Sequence, residues 1–226
     1  MKISKLLRVS YLLPMAWFTA FRNDALPFEQ RYASTQKWSK RILKALGYRL
    51  HVKGSRSLEK AEKIYFVSNH QGTLDPALIC ASCPIPLSFV SKSKNEKIPI
   101  LGHWARNIEC IHFDKDTREG NIHMLREVLR YLKKNRNILI FPEGTRSKCD
   151  AMNPFMDKAL QPAIIAKATI VPITLNYAYC LDNKNFKGKD LYIAYGNPIE
   201  YNEYKDLSLE QVSQMVQRKI QQEIRI

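Results

Sequence analysis

From residue 50 onward the chain alternates short apolar runs with helical apolar stripes, and no other feature restricts the fold as much. Ile64–Ser68 (IYFVS), residues 87–91 (LSFVS), 138–141 (ILIF) and 170–175 (IVPITL) are rich in β-branched and aromatic residues and have the length of buried strands. Residues 191–195 (LYIAY) add a weaker fifth. Helical patterns lie between and after them. One should follow Asp75-Pro76. Residues 119–135 carry Ile122, Leu125, Val128, Leu129 and Leu132 on one face. Residues 157–167 suggest another helix. The last, 208–226, opens on a capping box of Ser208 and Gln211 and lines up Leu209, Val212, Met215, Val216 and Ile220. Strands alternating with helices imply an α/β fold, with a mostly parallel central sheet covered by helices. Residues 181–190 read only as loop, and neither an internal repeat nor a low-complexity linker interrupts the pattern.

The N-terminal segment is different in kind. The formal net charge is +15, from 36 Lys and Arg against 21 Asp and Glu. Thirteen of those cations and only three of the acids lie in residues 1–60, which therefore hold +10 (13 − 3) of the total. Such a charge expects an anionic partner: nucleic acid, a membrane surface or a phosphorylated substrate. Residues 9–21 are the most apolar stretch, yet they fall short of the roughly 20 residues a bilayer span needs. Pro14 is expected to kink them. No small-residue cleavage site follows, and five cysteines, an odd number, fit a reducing compartment better than a disulfide framework. A second helix should open after Pro27 and close at Gly47, with Phe28, Tyr32, Thr35, Trp38, Ile42 and Ala45 on one face and Arg31, Lys37, Lys40, Arg41 and Lys44 around it. That pattern suits an interfacial membrane helix, or a helix packed on its own domain with a solvated basic face. Two such helices in series favour the membrane. The expected division is a membrane-docking pair at 1–47 and a main domain at 48–226.

In open α/β sheets, ligands bind beyond the carboxyl ends of the strands, so the loops leaving each strand carry the chemistry. The first strand runs into Asn69-His70-Gln71-Gly72-Thr73-Leu74-Asp75-Pro76. Asp75 before Pro76 is a natural helix cap. Gly72 would also let the loop fold back and bring the Asp75 carboxylate to one ring nitrogen of His70. The other nitrogen would then be left to take a proton, as in a triad without its nucleophile. The strand at 138–141 runs into Pro142-Glu143-Gly144-Thr145-Arg146-Ser147. Gly144 permits a tight turn with exposed N–H groups, and Arg146 offers a planar fork for phosphate, or else a surface ion pair with Glu143.

Taken together, the two loops resemble the lysophospholipid acyltransferases typified by the bacterial 1-acyl-sn-glycerol-3-phosphate enzymes. Residues 69–75 are similar to the first block of that family, the His-x4-Asp motif. Residues 141–147 (FPEGTRS) match its third block almost letter for letter, and residues 170–173 (IVPI) resemble the fourth. Residues 89–102 resemble the segment before the second block, with Lys92, Pro99 and Gly102 at family positions. Three positions depart: Lys115 stands where the second block has Arg, Glu109 stands nearest its opening Gly, and Phe155-Met156-Asp157-Lys158 lacks the Gly of a Phe-Lys-x-Gly element.

The resemblance implies acyl transfer from acyl-ACP or acyl-CoA to the sn-2 hydroxyl of lysophosphatidic acid, giving phosphatidic acid. It implies His70 as general base with Asp75 orienting it. Asn69, Glu143, Gly144, Thr145, Arg146, Lys92 and Lys115 would bind substrate, and neither a cofactor nor a metal would be needed. The absence of a Gly-x-Ser-x-Gly elbow agrees with direct transfer, without an acyl-enzyme. The expected setting is the cytoplasmic face of the cell membrane, peripheral or monotopic, on anionic lipid. Two alternatives remain open. The same chemistry could act on glycerol-3-phosphate or another lysophospholipid. A basic nucleic-acid-binding protein would explain the charge, but not the two strand-end loops. The remaining histidines have no metal-ligand spacing, and Cys80-x-x-Cys83 has no second pair to complete a zinc site.

Overall fold

The computed structural model describes residues 9–58, 63–156, 158–183 and 188–224 of the chain. Its strands are β1 (Arg49–Lys53), β2 (Ile64–Ser68), β3 (Ser88–Lys92), β4 (Ile111–Phe113), β5 (Ile138–Ile140), β6 (Thr169–Asn176) and β7 (Asp190–Tyr195). They form a seven-stranded sheet in the order β1-β7-β6-β2-β5-β3-β4. Neighbours run parallel except β6 and β7. The five runs read from the sequence are β2, β3, β5, β6 and β7, each within one residue of its expected ends. β1 and β4 left no apolar run to read. β1 is an edge strand with Arg49, His51 and Lys53 exposed, and β4 has three residues with His112 in the middle.

Side chains alternate across the sheet as a doubly covered strand requires. Ile64 and Phe66 of β2 enter one apolar cluster, while Tyr65 and Val67 enter the other. The second cluster is closed by α6 (Arg118–Lys133), α7 (Gln161–Ala166) and α9 (Leu209–Gln222), following the short α8 (Tyr201–Tyr204). Val128 and Leu132 of α6, with Val212, Val216 and Ile220 of α9, are fully buried there. The Ser208–Gln211 capping box forms as expected. The helix expected at 157–167 is only α7, because Pro162 fixes its first turn. Residue 157 and residues 225–226 of the expected helices lie outside the described residues.

The other face is covered by α2 (Phe28–Ala45) and α3 (Asp75–Ser82). Here the sequence reading needs correction. α2 turns Phe28, Tyr32, Thr35 and Trp38 inward, and Tyr32, Leu43 and Leu46 join the same cluster as Phe66, Leu78 and Ile79. The aromatic stripe of α2 is therefore spent on its own domain, and its exposed Lys37, Lys40, Arg41 and Lys44 form a solvated face. The line drawn at residue 47 does not separate two cores.

The preceding helix, α1 (Leu12–Arg22), is inside out. It buries Ala16 and Ala20 and exposes Tyr11 just before it, then Met15, Trp17, Phe18 and Phe21, with Phe18 60% exposed. Residues 9 and 10 are already helical and Tyr11 keeps a helical backbone, so the helix is interrupted just before Pro14, as the kink expected there requires. A buried polar clasp fixes α1 on α5 (Leu101–Asn107), the helix that follows the short α4 (Ser93–Glu96). Asn23 donates to Asn107 at 3.0 Å, Asn107 donates to the Ala20 carbonyl at 3.1 Å, and Asp24 meets His103 at 3.1 Å. Leu101, which opens the helix packed on α1, and Ile98 three residues before it are also exposed. No helix among the described residues is long and apolar enough to cross a membrane.

Candidate active site

β2 and β5 are parallel neighbours, with Tyr65 opposite Ile138 and Val67 opposite Ile140. Their carboxyl ends therefore open side by side, and the two chemically distinctive loops meet. The His70 carbonyl accepts from Ser147 N–H at 2.8 Å, and the Gln71 carbonyl accepts from Lys148 N–H at 3.1 Å. In effect the two loops extend the sheet beyond its last strand residues.

His70 Nδ1 lies 2.6 Å from Asp75 Oδ2. A carboxylate only accepts, so Nδ1 carries the proton and Nε2 is the acceptor nitrogen. The sequence offered Asp75 both as a helix cap and, through Gly72, as the partner of His70. The second role holds: Asp75 is the first residue of α3, and its carboxylate is turned back, accepting Gly72 N–H with both oxygens at 2.9 and 3.0 Å. Asp75 is completely buried. Burial raises its carboxyl pKa, and the hydrogen bonds from His70, Gly72 and Gln71 act in the opposite sense. The imidazole is stacked on Phe141, with ring centroids 4.2 Å apart, and its side chain keeps 20% exposure. One ring nitrogen is thus fixed in the protein, with the ring plane set by Phe141. Gly72 itself cannot be replaced cheaply, because a Cβ there would stand 2.4 Å from the Ala178 carbonyl oxygen.

Two of the residues assigned to substrate have other work. Asn69 is 1% exposed; it donates to the Leu175 carbonyl at 3.0 Å and accepts from Leu175 N–H at 2.7 Å, continuing the β2–β6 ladder with its side chain. Glu143 is also buried. Its carboxylate accepts His70 N–H at 2.7 Å and Asn153 N–H at 2.8 Å, so it braces the backbone of the histidine. Burial pushes its pKa up, and those same N–H groups hold it down. Both side chains are thus engaged with backbone groups at the strand ends. Gly144 takes a left-handed conformation, and its N–H closes the turn to the Phe141 carbonyl at 3.0 Å; it is not left exposed for a ligand. Met156 fills the space beside it: a Cβ on Gly144 would come 2.6 Å from the sulfur.

The cations behave differently. Thr145 and Arg146 are exposed at the tip of the loop after β5. Lys92 ends β3, and Lys115 follows β4, whose Phe113 is registered opposite Lys92. Burial, then the Lys115 and Lys94 ammonium groups, and further off the Arg146 guanidinium, hold the Lys92 pKa below its ordinary value, against a weaker pull from Asp116. Charge of one sign converging at the strand ends is the condition under which a bound anion is favourable. Lys115 also pairs with Asp116 at 3.4 Å. Among the described residues no group of three or more His, Cys, Asp or Glu could hold a metal ion.

The second-block departure has a structural answer. Glu109 adopts a positive φ, the conformation a glycine takes without cost, and its carboxylate is clamped between Arg31 of α2 and Arg136 before β5. Two ion pairs offset the strained backbone. The five cysteines are free, and burial pushes Cys83 up to about 11 and Cys110 up to about 12, so Cys80-x-x-Cys83 is a pair of inert packing thiols.

Residues 49–176, more than half of the chain, match the family described as Acyltransferase. The chain belongs to this family. The acyltransferase is 26% identical over 154 residues to a lyso-ornithine lipid O-acyltransferase of Pseudomonas aeruginosa, covering 68% of this chain and 57% of that one. It is 33% identical over 135 residues to a 1-acyl-sn-glycerol-3-phosphate acyltransferase of Saccharomyces cerevisiae, covering 58% and 44%. The chain therefore spans only about half the length of these curated relatives. Its fold is that of the 1-acyl-sn-glycerophosphate (LPA) acyltransferase PlsC of Thermotoga maritima. The TM-score is 0.78 at 22% identity, over 97% of this chain and 89% of that one.

The sequence missed what lies between the motifs: Phe141 as the stacking partner of His70, Asn153 on Glu143, and the connection after β6, which bonds to the His70 loop through Ala178 and Asp182. Only Phe141 left a signal, as part of the third block.

Proposed function

We propose that the acyltransferase moves a fatty acyl group from a thioester, acyl-ACP or acyl-CoA, to the sn-2 hydroxyl of 1-acyl-sn-glycerol-3-phosphate, at an anionic membrane surface. The observation that carries this is the His70–Asp75 pair opening at the same sheet end as Lys92, Lys115 and Arg146. In this reading Nε2 of His70 takes the hydroxyl proton as the oxygen attacks the thioester carbonyl. The C–O bond forms, the C–S bond breaks, and the proton passes to the leaving sulfur. Asp75 holds the tautomer and stabilises the imidazolium; positioned base catalysis of this kind contributes about 10²–10⁴-fold. The thioester is already activated, so the site needs no nucleophilic side chain. Arg146, Lys92 and Lys115 hold the acceptor's phosphate. The exposed apolar face of α1, joined by Ile98 and Leu101, lies on the lipid from which the acceptor comes.

A second acceptor class is favoured by one observation, the match to a lyso-ornithine lipid O-acyltransferase over 68% of the chain. An ornithine headgroup offers a carboxylate where lysophosphatidate offers phosphate. The deciding experiment incubates the protein with acyl-ACP or acyl-CoA and a panel of lysolipids, including both of these, and weighs the products by mass spectrometry. Phosphatidate as the main product supports the reading. Acylation of lyso-ornithine lipid alone would move the assignment to the second class.

A further inference from the structure

Asp182 follows the 3-10 turn Ala178–Leu181, in the connection from β6 to β7, a stretch the sequence reads only as loop. Its side chain is 15% exposed. One oxygen accepts Thr73 N–H at 2.7 Å; the other accepts the Thr73 hydroxyl at 2.9 Å and Arg146 Nη1 at 3.2 Å. Arg146 Nη1 also donates to the Thr73 hydroxyl. A single carboxylate thus grips the loop that carries His70 and Asp75 and, at the same time, the guanidinium arriving from the neighbouring strand end. The connection is well seated for this task. Ala178 N–H donates to Gln71 Oε1 at 3.0 Å, and Tyr179 OH donates to Asp150 at 2.9 Å.

The consequence falls on Arg146. An unrestrained surface arginine must give up rotamer freedom before it can meet a phosphate with two N–H groups at once. Pinned at Nη1, the planar guanidinium keeps one edge fixed, while Nε and Nη2 have no hydrogen-bond partner among the described residues. The charge of Asp182 is meanwhile covered by Thr73 and Arg146, so it presents little repulsion to an anion nearby. We propose that Asp182 is a positioning residue that acts through Arg146, fixing the guanidinium for the acceptor's phosphate and so favouring phosphorylated acceptors. The proposal rests on the reading of this site as a phosphate site.

The test is steady-state kinetics with acyl thioester and 1-acyl-sn-glycerol-3-phosphate for Asp182→Asn, Arg146→Ala and the double variant. Asp182→Asn should raise KM for the acceptor roughly tenfold and change kcat far less. It should add no further rise in the Arg146→Ala background, because the residue it acts through is gone. Asp182→Glu keeps the charge and should recover most of the wild-type KM; it also serves where Asp182→Asn folds poorly. An unchanged KM in Asp182→Asn, or the same rise with Arg146 already removed, would overturn the proposal while the functional reading stands. A wild-type protein that acylates no phosphorylated lysolipid would overturn both.

Discussion

The dyad and the cation rim sit at the same end of the sheet and are built in opposite ways. His70 and Asp75 are locked: Asp75 is fully buried, its oxygens are filled by His70 and Gly72, and the imidazole is stacked on Phe141. Lys92, Lys115 and Arg146 sit at loop tips and strand ends, partly exposed; Lys115 is held by one ion pair, with Asp116, and Arg146 by its contacts to Thr73 and Asp182. The difference teaches a division of labour. Proton transfer demands geometry fixed to a fraction of an ångström, which only burial and saturated hydrogen bonding give. Capture of a charged headgroup rests on charge convergence at a rim that must remain open to the ligand, with Arg146 held there by Thr73 and Asp182.

The largest expected effect breaks the locked half. His70→Ala should lower kcat by about 10³-fold or more, with KM for the acceptor little changed and the melting temperature kept. A variant near wild-type rate would remove His70 from the chemistry. Glu143→Gln tests whether the lock includes the brace behind the histidine. An amide cannot accept both the His70 and the Asn153 N–H, so a buried donor is left unpaired. A kcat loss of about tenfold and a lower melting temperature are expected; unaltered values would show that the brace is dispensable.

The electrostatics of the lock give a pH signature. Burial raises the folded-state pKa of Asp75 above its ordinary carboxylate value. A group shifted this way binds its proton more tightly in the folded chain. Its contribution to stability is present below the ordinary value and is lost as pH rises through the raised one. Urea midpoints measured across that window should fall with rising pH in the wild type, and fall less steeply in Asp75→Asn. Parallel curves would contradict the shift.

The smallest effect concerns α1. Removing residues 1–47 cannot separate docking from folding, because Tyr32 and Leu43 belong to the main core. Phe18→Ala with Met15→Ala leaves that core alone, since both side chains are exposed. Binding to anionic vesicles should weaken several-fold with the melting temperature unchanged. Undiminished binding would place the membrane contact elsewhere.

Much of this division could be read from the chain, for physical reasons that differ by residue. Ile64–Ser68 and its parallel partners were legible because burial on both faces leaves an unbroken apolar run. β1 and β4 were not, because an edge strand and a three-residue strand bury too little to show a pattern. The return of Asp75 to His70 was legible from Gly72. The inward turn of the α2 stripe was not, since an interfacial helix and a packed helix share one periodicity and only the partner surface, α3, tells them apart. Asn69 and Glu143 were placed among the ligand-binding residues because they lie within the motifs that carry the family resemblance; their burial was invisible in one dimension. Asp182 had no signal at all, since the β6–β7 connection reaches the site only through the order of the strands.

The division itself is tested most directly by measuring kcat and acceptor KM for Asp75→Asn and Arg146→Ala side by side in one assay. The account predicts opposite signatures: Asp75→Asn loses about 10²–10⁴-fold in kcat with KM nearly kept, and Arg146→Ala raises KM about tenfold with kcat nearly kept. If Arg146→Ala lost kcat as heavily as Asp75→Asn, or if Asp75→Asn acted mainly on KM, the lock and the rim would not be separate devices.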